Sequence, residues 1–162
     1  MCSGAVRVAV AVAMTGLAAC TSVPRLEAPA EVRRFLHSFA TAVESGRWLD
    51  AVEHFAPLYV SEQRDHVLEG QTGQFLVEAL ALARDCAGYA ADEQRAYRCL
   101  REVCSVQPVA FEPSPGGSSE VVGRVRFAVR HRCGEEPVIA ELFLVQSRIA
   151  RRSDYSLVGP LG

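Results

Sequence analysis

The stretch Val121-Val122-Gly123-Arg124-Val125-Arg126-Phe127-Ala128-Val129-Arg130-His131-Arg132 decides the fold. Its odd positions read Val, Gly, Val, Phe, Val, His, and its even positions carry Arg124, Arg126, Arg130 and Arg132. Successive side chains of a strand point to opposite sides, so an alternation of period two is a strand with one face on a core. Residues 138–146, VIAELFLVQ, supply its partner. With Arg132 opposite Glu135 and Cys133-Gly134 as a two-residue turn, Val125, Phe127 and Val129 fall opposite Leu142, Ala140 and Val138. Arg126 then meets Glu141 on the other face. A one-residue slip would push Glu141 into the apolar set, which pins the register. A primed turn, however, asks for positive φ at Cys133, which its side chain disfavours.

The second face of this hairpin is mixed. Ile139, Phe143 and Val145 stand there with Glu141, beside Arg124 and Arg126. Arginine stems can shield such apolar groups. Alternatively the face is an association surface, an apolar centre with a charged rim. Residues 106–112 form a further strand before the Pro/Gly-rich turn at 113–119, and residues 149–158 a fourth. A two-residue turn after Gln146 would set Tyr155 opposite Ala140, facing inward.

Upstream of about residue 103 the period is helical. Val32, Phe35, Leu36, Phe39 and Val43 lie on one helix face, and Ser45-Gly46 stops it. Trp48, Val52, Phe55 and Tyr59 extend a second helix, with Pro57 near its end. Phe75, Leu76, Ala79, Leu80, Ala83 and Cys86 mark a third, closed by Gly88, and residues 91–101 a weaker fourth. Helices first and strands later predict an α+β domain over residues 31–162. Its N-terminal helices pack on one face of a curved antiparallel sheet of about four strands.

The 162 residues are 49% apolar and 22% charged, an ordinary globular mix. The formal charge of −2 leaves no electrostatic footprint for nucleic acid. Residues 1–19 read as an export signal. Arg7 precedes twelve uncharged residues, about 18 Å of helix, too short to span a membrane. The motif Leu17-Ala18-Ala19-Cys20 resembles the lipobox of bacterial lipoproteins. The resemblance implies cleavage before Cys20, lipid (palmitate among its acyl chains) on Cys20, and a tether over residues 20–30. Several acyl chains on one residue anchor stably where one does not. Thr21, rather than Asp, after the lipid site resembles an outer-membrane address, on the periplasmic face of the cell envelope.

In an exported chain the even set Cys86, Cys99, Cys104 and Cys133 reads as two disulfides. Closing the first hairpin at 113–119 sets Cys133 opposite about residue 99, which favours Cys99–Cys133 with Cys86–Cys104. The set Cys86–Cys99 with Cys104–Cys133 closes shorter loops and stands beside it. No paired spacing points to a metal, and no cofactor motif is present. His37, His54, His66 and His131 share no ligand spacing and read as surface or rim residues.

The segment with Phe39-Ala40, Ala42, Ser45-Gly46-Arg47-Trp48, Ala51, Phe55 and Pro57 resembles the first two helices of the nuclear-transport-factor-two-like superfamily. That resemblance implies a cone-shaped domain with a pocket between helices and sheet, here lined by His54, Tyr59, Asp65 and Tyr155. Enzymes of the superfamily, the ketosteroid isomerases among them, place polar groups inside it. None of the clear inward strand positions here is a carboxylate, so no catalytic residue is assigned. The expectation is a membrane-anchored, non-catalytic binding module for a protein or an apolar ligand. Its partner would be an envelope protein or a second copy of the chain. An isomerase- or dehydratase-like enzyme and an immunity-type lipoprotein against a periplasmic toxin are the alternatives.

Overall fold

The computed structural model describes residues 26–56, 70–116, 120–146 and 155–159. Helix α1 spans Ala30–Glu44 and buries Val32, Phe35, Leu36, Phe39, Ala40, Ala42 and Val43. It ends in a Schellman motif: Gly46 at φ +69°, Arg47 N–H donating to Ala42 O at 2.9 Å, and Gly46 N–H to Val43 O at 3.0 Å. The chain turns at once into α2, Trp48–Val52. This second helix is shorter than its apolar spacing predicts. Phe55 leaves it to form a parallel bridge with Leu157, where both backbone groups of Leu157 are bonded to the 54–56 segment.

Helix α3 spans Thr72–Ala79 and α4 Glu93–Leu100, with a 3-10 turn at Tyr89–Ala91 between them. The Glu93 carboxylate accepts from Gly73 N–H at 2.7 Å and Gln74 N–H at 3.2 Å, so α4 satisfies the open donors of α3. Asp92 caps α4 by accepting from Gln94 N–H at 2.9 Å. The expected extension of α3 to Cys86 does not occur. Ala81 takes φ +58° and Leu82 N–H donates to Val77 O, which ends the helix and turns Leu82 into the core beside Leu80.

The sheet is β1 (Ser105–Pro113), β2 (Val121–Arg130), β3 (Val138–Gln146) and β4 (Tyr155–Val158), antiparallel in that order. Val125, Phe127 and Val129 pair with Leu142, Ala140 and Val138, and Arg126 with Glu141, as the pattern predicts. The turn avoids the strain expected at Cys133. Gly134 alone of the pair takes positive φ, +95°, and Glu135 N–H donates to Arg132 O. Irregularities at Pro108/Ala110 and Val121/Gly123 curve the sheet. Gly123 is required at the second: a Cβ there would lie 2.6 Å from both Glu112 O and the Phe111 ring.

The inward positions Val106, Val125, Phe127, Val129, Ala140, Leu142, Leu144 and Leu157 are buried under the helices. The rings of Phe39 and Phe127 meet edge-on at 5.3 Å, and Phe55 and Phe75 at 4.9 Å. The molecule is therefore α+β, with its N-terminal helices on one face of a curved four-stranded antiparallel sheet. Among the described residues, no helix is long and apolar enough to cross a membrane.

The disulfides are Cys86–Cys99 and Cys104–Cys133, with Cα atoms 5.6 and 5.3 Å apart. The pairing Cys99–Cys133 with Cys86–Cys104 is thus corrected. The first hairpin pairs about three residues out of the expected register: Ser105, and not residue 102, pairs with Arg130, and Cys104 N–H donates to Arg130 O at 2.8 Å. Cys104 therefore arrives beside Cys133, while Cys99 is still in α4.

Candidate functional site

Two regions carry the residues singled out by sequence. The 54–56 segment and β4 bring His54 and Tyr155 to one shared neighbour, the Phe35 ring. The Phe35 ring stands against both, with centroids 5.3 Å from His54 and 6.1 Å from Tyr155. Tyr155 pairs with Gln146, not Ala140, because the connection after β3 is eight residues and not two. It faces the helices all the same, sharing parity with Leu157. His54 Nδ1 lies 2.8 Å from Asp50 O, which can only accept, so Nδ1 carries the proton. Nε2 then accepts from Ser38 Oγ at 3.1 Å. Burial against Phe35 and Phe39 holds the His54 pKa below its ordinary 6.5, against the opposing pull of the Asp50 carbonyl. Cys20, Tyr59, Asp65 and His66 lie outside the described residues.

The second region is the outer face of the sheet. Arg124 pairs across to Glu112 and Phe143, Arg126 to Ala110 and Glu141, Ala128 to Ile139, and Phe143 to Val158. Both guanidinium groups reach Glu112: Arg124 through a short charge-assisted pair, Arg126 through its Nη2. A longer 3.5 Å contact joins Arg124 to Glu141. The hydrogen bond from Arg124 holds the Glu112 carboxyl below its usual range, and Glu112 in turn raises Arg124. All four side chains are wet, so the network adds little stability. Its consequence is geometric. The arginine heads lean over β1, and the β3–β4 half keeps Ile139, Phe143, Val145 and Val158. The core cluster built by the described helices includes none of these four. Ile139 is 52% exposed, and Phe143 and Val145 are half-buried.

Each edge of the sheet has one backbone group bonded outside the sheet among the described residues. The 54–56 segment bonds Leu157 at the β4 edge. At β1, Val106 N–H donates to Glu44 Oε1 at 2.6 Å, Pro108 has no N–H, and the Val109 irregularity breaks the ladder.

His131 was expected at the surface, yet it is only 3% exposed. Its parity with Val125, Phe127 and Val129 was the available signal. It reaches the Cys86–Cys99 bridge, and the two sulfurs and a ring nitrogen lie within 4.8 Å of one another. Metal coordination needs thiolates, which the S–S bond removes. His37, by contrast, is exposed as expected. No protein-family model, curated protein or solved structure matches the chain.

Proposed function

We propose that the protein is an envelope lipoprotein, anchored through Cys20, whose domain is a non-catalytic module that binds a protein partner on the outer face of its sheet. The observation that carries this reading is the division of that face. A charge network of Arg124, Arg126, Glu112 and Glu141 lies on one half, and exposed Ile139 with Phe143 and Val145 on the other. Apolar surface rimmed by charge is interface anatomy. An open sheet face with a charge network beside exposed apolar side chains suits a protein better than a small apolar ligand, which is held in an enclosed pocket. The tight Ser45–Trp48 turn and the order of helices before strands support the likeness to cone-shaped domains, here serving as scaffold. The pocket reading has less support: of its residues only His54 and Tyr155 are among the described ones, and both lie against the buried Phe35 ring.

The test is Phe143→Arg, with a photocrosslinking residue at position 139 in the native envelope. The expected outcome is a folded domain by circular dichroism and loss of the adduct that the parent chain forms. A homodimeric adduct, read by its mass, would identify the partner as a second copy. A folded variant with an undiminished adduct would sink the reading. Unfolding would mean that Phe143 belongs to the core, because a buried guanidinium costs several kcal/mol, roughly enough to undo a small domain.

A further inference from the structure

We propose that Cys86–Cys99 is a thiol–disulfide exchange site, with Cys99 as the reacting sulfur and a small dithiol or dithiol protein as co-reactant. This inference is independent of the sheet face. Three observations converge on it. First, the bridge borders an open hollow of about 360 Å³ lined by Arg95, Arg98 and Arg132 with Asp85 and Glu102, where Arg132 is paired to Glu102 at 2.6 Å and Arg95 to Asp92 at 3.6 Å. Second, the two sulfurs differ in access: Cys86 is 3% exposed, whereas Cys99 is half-buried and on the rim. Third, His131 Nε2 lies 3.1 Å from Cys99 O and 3.0 Å from Cys99 Sγ. A carbonyl oxygen only accepts, so Nε2 carries the proton and presents an N–H to the sulfur. A hydrogen-bond donor held against the sulfur, in a hollow lined by arginines, favours its thiolate form.

A thiolate of the incoming dithiol attacks Cys99 Sγ; the new S–S bond forms, and the Cys86–Cys99 bond breaks. Cys86 leaves as a thiolate and takes a proton. The second thiol of the dithiol, having lost its proton, then attacks the sulfur of its own partner in the mixed disulfide. Cys99 is released as a thiolate against the His131 N–H. Two electrons pass from the dithiol, which becomes a disulfide, to the protein bridge, which becomes two thiols. Run backwards, the same site oxidises a dithiol partner. In both directions the groups facing Cys99 Sγ and its hollow are His131 from the turn after β2, Arg95, Arg98 and Glu102 from α4 and its end, Asp85, and Arg132.

The experiment reduces the full chain with dithiothreitol, removes the reductant, and follows iodoacetamide labelling of each cysteine by peptide mass between pH 5.5 and 9. An ordinary thiol, with a pKa of about 8.5, is only about 1% ionised at pH 6.5. Cys99 is expected to label at least about tenfold faster than Cys86, Cys104 and Cys133 at that pH. In His131→Gln its profile should move up toward theirs. With glutathione disulfide as the probe, the first mixed disulfide should form on Cys99. Matching pH profiles for Cys99 and Cys104 would overturn the proposal, as would a first adduct on Cys86. Loss of the fold on reduction, read by circular dichroism, would also overturn it, since an exchange site must survive both states. If His131→Gln does not fold, the profile of Cys99 in the parent chain still decides.

Discussion

A single histidine illustrates how burial becomes a pH response. His54 is packed between Phe35 and Phe39, and desolvation keeps its folded pKa below the ordinary 6.5. In the window between the two values the unfolded chain binds more protons than the folded one. Stability therefore rises with pH through that window and is lost as pH falls below about 6.5. Melting temperatures measured from pH 7.5 to 5 should fall for the parent chain and fall less steeply for His54→Gln. Equal slopes would remove His54 as the cause. The Nε2 partner, Ser38 Oγ, was not legible in the sequence, because Ser38 lies sixteen residues away on α1; the Nδ1 partner, Asp50 O, is local, four residues back. His131 was half legible. Its place in the alternation pointed inward, but only the packing of α4 against the end of β2 brings Cys99 to it.

At the scale of elements, the apolar periods located every described helix and strand, and the ends were decided by backbone geometry. The α3 terminus is the clearest case. Leu80, Ala83 and Cys86 continue a helical stripe, yet Ala81 takes the left-handed conformation and stops the helix at Ala79. That conformation is disfavoured by roughly 1–2 kcal/mol for a residue with a Cβ. Ala81→Gly should therefore stabilise the domain, by about 0.5–1 kcal/mol after the extra chain entropy of glycine is subtracted. Urea unfolding of the two proteins measures it, and a destabilised glycine variant would show that the strain is absent. The disulfide pairing belongs to this scale too. One hairpin paired about three residues out of the expected register exchanges the partners of all four cysteines, since a strand advances about 3.3 Å per residue and a bridge spans less than about 7 Å.

For the whole molecule, the proposed anchor predicts behaviour that the domain alone does not. Cys20→Ala should yield an uncleaved or soluble product without incorporated palmitate, read by metabolic labelling and membrane fractionation. A parent chain that carries no acyl group and begins elsewhere than Cys20 would end the lipoprotein reading. The helices-then-strands order, the β2–β3 register and the two-sided character of the sheet were all determined by the sequence itself. They depend on local period and on neighbours joined by a short turn, where one slip would bury Glu141. Tertiary structure alone decided which cysteines bond and that one ring, Phe35, meets both His54 and Tyr155. It also decided that the arginines lean to Glu112 while Ile139 stays exposed, and that His131 meets Cys99. Each of these joins segments far apart in the chain. Their meeting is set by how layers pack and where turns close, and no local pattern of residues encodes it.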